Sequence, residues 1–292
     1  VTDRVRTCPL GIQWQRCRGL GKFDVEEANE GPFSLSSTTR DVLDHRWPSA
    51  EDFDFEPLIA EAEANADRVV ISGLWSGIFG DSNRMIGFDQ FLMGMAAQPD
   101  VIHALVDRMT EMYLELNERL FSQLQDKIDI WFFGNDFGTQ KALLFSTAMW
   151  DDFFAENVRK LCGLAHAHGL TVMMHSCGCV APLLHRLVEA GVELLDPVQT
   201  SASGMDPETL MRKYGDRLVF HGGIDTQHVL PTASPEQAAA HARTMIDAFA
   251  GGVGYIFAPS QIFQADIPIE NIVSVYDLAM QYNGELPSAP AS

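Results

Sequence analysis

The sequence predicts an α/β fold of parallel strands joined by helical crossovers, either a (β/α)8 TIM-type barrel or a doubly wound open sheet. Three observations carry this. Short β-rich apolar runs recur at 68–72, 128–133, 170–174, 192–195, 217–221 and 253–257. Helical patterns separate or flank them near 88–97, 99–125, 147–168, 180–190, 206–214, 234–250 and 268–282, an alternation that implies helical crossovers. The runs are apolar throughout, as strands buried on both faces are.

Residues 1–66 differ from the rest. They mix Trp14, Phe23, Phe33, Trp47, Phe53 and Phe55 with Gly, Pro and acids without clean periodicity. Little regular structure is expected before Trp47-Pro48-Ser49-Ala50-Glu51-Asp52, which reads as a turn entering a short helix with Ser49 as N-cap. Beyond it, Pro99-Asp100, Ser146, Asp206-Pro207 and Ser234-Pro235-Glu236 fit helix starts. Gly169 and Gly191 stand where helices should stop. The expected organisation is an irregular segment over 1–66 packing on the barrel, a (β/α) barrel over 67–284 and a disordered tail over 285–292. Six strands are visible where a closed barrel needs eight, so the first two come from 1–66 or are absent. No glycine-rich phosphate fingerprint follows the first strand, which leaves a nucleotide-binding open sheet without support.

The chain has 292 residues, 46% hydrophobic and 21% charged, with a formal net charge of −20. One large domain with a sizeable core suits that length. The negative surface disfavours nucleic acid and anionic membranes. No apolar stretch is long enough to span a bilayer and no secretory signal is visible, so a cytoplasmic location is expected. Cys8, Cys17, Cys162, Cys177 and Cys179 are irregularly spaced and read as reduced thiols or metal ligands.

Each predicted strand ends in small or polar residues: Ser72-Gly73-Leu74-Trp75, Gly134-Asn135-Asp136, His175-Ser176-Cys177-Gly178-Cys179, Asp196-Pro197-Val198-Gln199, His221-Gly222-Gly223-Ile224-Asp225 and Ala258-Pro259-Ser260-Gln261. In a parallel barrel such ends meet at one mouth, where catalytic groups sit. His175 and Cys177 are two apart, so in an extended segment they face one side and could grip a zinc ion together. The bland alternative is a satisfied histidine beside a buried cysteine. Cys179 has the same spacing and is either a third ligand or a turn residue. Asp136, delivered by an apolar strand, reads as ligand, general base or orienter of an imidazole. Asp225 follows two glycines and reads as a site carboxylate or a loop cap. His221 is a site residue or a satisfied core histidine. His166, His168 and His185 are placed on outer helix faces, and Met93 and Met95 in the core.

The segments G-N-D-F-G-T-Q (134–140), L-F-S-T-A-M-W (144–150), H-S-C-G (175–178), L-L-D-P-V-Q (194–199), H-G-G-I-D-T-Q (221–227), G-Y-I-F-A-P-S-Q (254–261) and D-I-P-I-E-N-I (266–272) together resemble the uroporphyrinogen decarboxylase superfamily. The resemblance spans about 65–283 and leans to the cobalamin-dependent methyltransferase branch. It implies a distorted eight-stranded barrel with a cleft at its C-terminal face, and zinc held by His175 and Cys177. A late cysteine usually completes that set. Here Ser260 and Gln261 stand in its place, so Asp136, Cys179 or Gln261 would substitute. The decarboxylase branch uses an arginine-bearing N-terminal loop, and this chain has no matching segment.

The expected function is zinc-assisted methyl transfer between a small methylated substrate or thiol and a corrinoid. The cobalamin would be carried by a partner protein, because no D-x-H-x-x-G segment occurs. Asp136, Asp225 and His221 are the candidate catalytic residues. Trp75, Asn135, Gln199, Ser260 and Gln261 are the candidate substrate contacts, and His175, Cys177 and Cys179 the candidate metal ligands. A metal-independent decarboxylase or lyase and a non-catalytic binding protein are the alternatives. A homodimer is compatible with the sequence, which carries no signal for oligomeric state.

Overall fold

The computed structural model describes residues 5–18 and 24–282. The expected tail at 285–292 lies outside them. The chain divides into two compact units, one comprising Val1–Asn135 with Phe145–Thr171 and the other Asp136–Leu144 with Val172–Ser292.

The first unit opens with strands β1 (Val5–Thr7), β2 (Gln13–Arg18) and β3 (Asp24–Glu30), which form an antiparallel sheet in that order. This corrects the expectation of little regular structure before Trp47. The strands read Q-W-Q-R-C-R and D-V-E-E-A-N-E, so they present few apolar residues and lack the alternation that marks a half-buried strand. Backbone pairing between neighbouring strands holds them instead. Arg6 contacts Glu26 across the sheet at 2.5 Å, an exposed pair that contributes little on its own. Arg6 and Arg84 lie 5.6 and 5.7 Å from the Trp14 ring. Because these strands pair antiparallel with one another, they are not the two missing barrel strands.

Next come α1 (Thr39–Asp44), a 3-10 turn at Ala50–Asp52 capped by Ser49, α2 (Glu56–Ala64), β4 (Ile71–Ser72), α3 (Ile78–Ile86), α4 (Phe88–Ala97) and α5 (Pro99–Leu124). The unit closes with β5 (Ile130–Gly134), α6 (Thr147–Phe153) and α7 (Ala155–Ala167). Helix α5 is its spine. It buries Ile102, Leu105, Val106, Met109, Leu116 and Leu120 and packs on α1, α3, α4 and α7. Phe79 meets Phe91, Phe145 and Phe154 edge-on at 5.5, 5.4 and 5.7 Å, each pair adding about 0.5–1.5 kcal/mol beyond its buried area. Met95 is buried as expected, but Met93 is 52% exposed on the outer face of α4. Strand β4 pairs parallel with β5, Ile71 opposite Ile130.

The second unit alternates β6 (Thr171–His175), α8 (Leu184–Ala190), β7 (Leu194–Val198), α9 (Pro207–Tyr214), β8 (Val219–Ile224), α10 (Pro235–Phe249), β9 (Tyr255–Pro259) and α11 (Ile269–Met280). Strands β6 to β9 pair parallel in chain order. The starts of α9 and α10 follow the sequence: Asp206 accepts the Thr209 N–H, and Ser234 with Gln237 makes a capping box. Gly191 ends α8 in the left-handed region at φ 106°. The α/β class and parallel pairing are as expected. The described residues contain six parallel strands, not the eight of a closed barrel.

Each parallel strand begins one to three residues later than its apolar run. The run at 192–195 becomes 194–198, and that at 217–221 becomes 219–224. The sheet thus takes in Asp196, one residue past its run, and His221, the last residue of its run, and a polar side chain in such a place needs a partner.

Candidate metal centre

Sheet register builds the centre. His175 ends β6, and its Cα partner on β7 is Asp196. Leu195 pairs with Phe220 on β8, so the next residue of each strand places Asp196 beside His221. Three polar residues therefore stand in line across three neighbouring strands about 4.8 Å apart. Regular pairing is interrupted between Leu195 and Val198, where Pro197 has no N–H to offer and follows a cis peptide bond.

The Asp196 carboxylate bridges two imidazoles. Oδ2 lies 2.6 Å from His175 Nδ1, and Oδ1 lies 2.5 Å from His221 Nδ1. An ionised carboxylate only accepts, so both rings donate from Nδ1 and each presents Nε2 elsewhere. Burial opposes the charge on Asp196, yet the hydrogen bonds from His175 and His221 hold its pKa below the usual carboxylate range.

His175 Nε2 lies 3.3 Å from Asp136 Oδ1, and Oδ1 also accepts the Cys177 N–H at 3.2 Å. Burial lowers the pKa of His175, but hydrogen bonds with Asp136, Asp196 and Cys177 and the charge of Asp136 outweigh it and push the value to about 11. Burial likewise raises that of Asp136, but His175 and the Cys177 N–H bring it down to about 2. Without a metal, the centre holds an imidazolium between two carboxylates.

Ligand atoms of Asp136, His175 and Cys177 lie within 4.8 Å of one another. A tetrahedral zinc with bonds of about 2.0–2.3 Å sets its ligands roughly 3.3–3.7 Å apart. The 3.3 Å separation of His175 Nε2 and Asp136 Oδ1 already matches that edge. Oxygen, nitrogen and sulfur donors together are a borderline-soft set that suits zinc. The residues present therefore fit the group, with exchange of the His175 Nε2 proton for metal as the required step.

The other predicted residues fall elsewhere. Cys179 is outside this group of three; its side chain is buried, and burial raises its pKa. A turn residue with a buried thiol fits it better than a third ligand. Asp225 is committed to its own loop: Oδ1 accepts the N–H groups of Gln227 and His228, and Oδ2 lies 3.2 Å from His228 Nδ1. Of its two readings, the loop cap is the one its contacts support. Ser260 is buried, with its hydroxyl 3.4 Å from that of Thr226, and Gln261 is half-buried just beyond β9. Gln199 is buried, accepts the Gly178 N–H at 2.9 Å and donates to Gln227 at 3.1 Å. Trp75 and Asn135 belong to the first unit. Trp75 is 42% exposed and lies edge-on to Phe132 at 5.6 Å. Asn135 is buried and accepts the Phe79 N–H at 2.7 Å, which ties it to the start of α3.

Sequence reasoning assigned no role to Asp196. The signal was available, because a carboxylate inside the apolar run L-L-D-P-V is tolerated only when paired. Gln227, which accepts from Gln199 and Ser201, was also passed over; an exposed loop glutamine carries no such signal.

No helix among the described residues is long and apolar enough to cross a membrane. No curated protein matches the chain. Among solved structures, a methyltransferase from Methanosarcina mazei is similar with a TM-score of 0.71 and 16% identity, covering 94% of this chain and 77% of that one. This likeness shows the fold. Two weaker ones carry no argument: a D-psicose 3-epimerase crystallised in the presence of D-fructose, at TM-score 0.40, 11% identity and coverage of 86% and 95%, and a native KDPGal structure, at 0.27, 19%, and 64% and 79%. The family model for uroporphyrinogen decarboxylase (URO-D) matches residues 58–282. The chain belongs to the uroporphyrinogen decarboxylase family.

Proposed function

We propose that this family member is a methyltransferase that holds zinc through Asp136, His175 and Cys177 and moves a methyl group between a small methylated substrate or thiol and a corrinoid. The cobalamin is carried by a separate protein. One observation carries the reading: carboxylate, imidazole and thiol converge within 4.8 Å, and the imidazole is turned by Asp196 so that Nε2 faces the other two. Zinc, when bound, supplies Lewis acidity that lowers the pKa of a thiol or polarises the heteroatom carrying the methyl group.

The chain's own groups divide the remaining work. His175 binds through Nε2 while Asp196 keeps its Nδ1 proton. Asp136 accepts the Cys177 N–H, which steadies the turn bearing the thiol. Asp225 shapes the loop after β8 through its bonds to Gln227 and His228, and so has a structural task in place of acid–base work. Likeness in fold to a methyltransferase supports the reading without deciding the activity.

The test is metal analysis of the purified protein with a methyl-transfer assay, using methylcobalamin as donor and a small thiol as acceptor, and then free cob(I)alamin with methylated amines, thiols and ethers. About one zinc per chain is expected, lost in Cys177→Ser, together with transfer in one direction. Protein that takes up no zinc, or holds zinc and transfers no methyl group in either direction, overturns the proposal. Chelator-insensitive decarboxylation that survives His175→Ala would establish the alternative.

A further inference from the structure

We propose that Asp196 and His221 are positioning residues for the metal centre: His221, which stands outside the three candidate ligands, clamps the second oxygen of Asp196 and thereby fixes the His175 ring. The inference rests on the metal reading above and extends it to a residue on a different strand.

A carboxylate held at one oxygen can still swing about its terminal torsion, a broad and soft rotation. Asp196 is held at both. Oδ2 accepts from His175 and Oδ1 from His221, and the side chain is buried to 11% exposure in a strand that is otherwise apolar. The His175 ring is bounded in turn by Asp196 at Nδ1 and Asp136 at Nε2. Removing the His221 donor frees one oxygen of a buried carboxylate, which then rotates toward a new donor and takes the His175 ring with it. A ligating imidazole whose outer partner is lost typically gives up about 10–100-fold in metal affinity. His221 is therefore more than a satisfied core histidine, since what it satisfies is the group that aims a ligand.

The test uses the full chain, with zinc affinity from competition against a chromophoric chelator and the ligand-field spectrum of the cobalt(II)-substituted protein. His221→Ala is expected to weaken zinc binding about tenfold and to shift the cobalt bands. His221→Asn, whose amide can still donate to Asp196, should stay within about threefold of the parent. Asp196→Asn should weaken binding by about 10–100-fold, because the ring loses its anionic partner. Should His221→Ala not fold, His221→Leu fills the ring's volume without a donor and replaces it. An unmodified protein that binds neither zinc nor cobalt overturns the metal reading itself. An unmodified protein that binds both, beside a folded His221→Ala or His221→Leu of equal affinity and identical cobalt spectrum, overturns only this inference.

Discussion

His175 and Asp136 meet Nε2 to Oδ1 at 3.3 Å, a carboxylate contact on the ring edge opposite the one that Asp196 occupies. The Asp136 side chain is 55% exposed, so it adds little to the core, and it is one of three side chains that could hold a metal ion. Asp136→Asn keeps an oxygen that can accept the Cys177 N–H and removes the charge. Zinc affinity should fall by at least about tenfold, and the thermal midpoint of the metal-free protein should fall as well near neutral pH, because the carboxylate that helps hold the His175 ring protonated loses its charge. Chelator competition and a thermal scan measure the two quantities. Unchanged affinity would remove Asp136 from the ligand set.

The turn after Cys177 leaves no room for a side chain. Gly178 has φ +80°, and a Cβ there would lie 2.6 Å from the Thr139 carbonyl oxygen. Gly138, on the facing segment, would place a Cβ 2.8 Å from the Cys177 carbonyl oxygen. Backbone on both sides cannot yield as a flexible side chain would. Gly178→Ala should therefore destabilise by on the order of 3 kcal/mol, from left-handed strain and overpacking together. Its urea midpoint should drop accordingly, and a midpoint equal to the parent's would show that the two segments are not so tightly apposed.

Much of this architecture was legible in the residues. Helices α4, α5, α9, α10 and α11 fall within two residues of their patterns, because amphipathic repeats and caps such as Ser234 with Gln237 are local signals. The spacing of His175 and Cys177 set them on one side of an extended segment but left open whether they act together or stand as a satisfied histidine beside a buried cysteine. Asp196 and His221 were not legible as partners, because their contact depends on the register between β7 and β8, which no local pattern encodes. The sheet of β1 to β3 was missed for the opposite reason: its strands are held by backbone pairing with one another, and their sequences carry no alternating apolar face.

Stability should respond to pH through two half-buried histidines. Burial lowers the pKa of His45, against a weaker opposing contact with the Leu10 backbone, and lowers that of His241 against the charge of Asp225 and the Gly223 backbone. Their folded values lie below the unfolded value of about 6.5. Below that pH the unfolded chain binds more protons, so stability falls as pH falls. In metal-free protein His175 acts oppositely: its value is raised to about 11, so its contribution is full below about pH 6.5 and is lost as pH rises through the folded value. Comparing variants separates the two. His45 packs edge-on to Phe33 at 5.1 Å and to Trp47 at 5.6 Å, contacts that a phenyl ring can keep. His45→Phe should become more stable relative to the parent as pH drops from 7.5 to 5.5, in urea titrations at about those pH values. A difference constant over that range would mean that His45 titrates alike in both states.

The loop that carries Asp225 and Gln227 is anchored from a distance. Asn271 on α11 is 1% exposed, and its amide nitrogen donates to the carbonyls of Leu230 at 2.8 Å and Ala233 at 2.9 Å. Those carbonyls lie just before the Ser234 cap, where the chain is about to enter α10 and offers no ladder partners of its own. Asn271→Leu preserves volume and strands both acceptors in an apolar setting, at about 1–3 kcal/mol for each buried group left unsatisfied. The expected total is about 2–4 kcal/mol, since the loop can relax to hydrate one carbonyl. The damage should be local as well as global: amide exchange should quicken over 225–233 before it quickens in β8 or α10. A variant that loses stability with uniform exchange across the second unit would show that Asn271 supports the helix packing as a whole, and that the loop stands on its own bonds to Asp225.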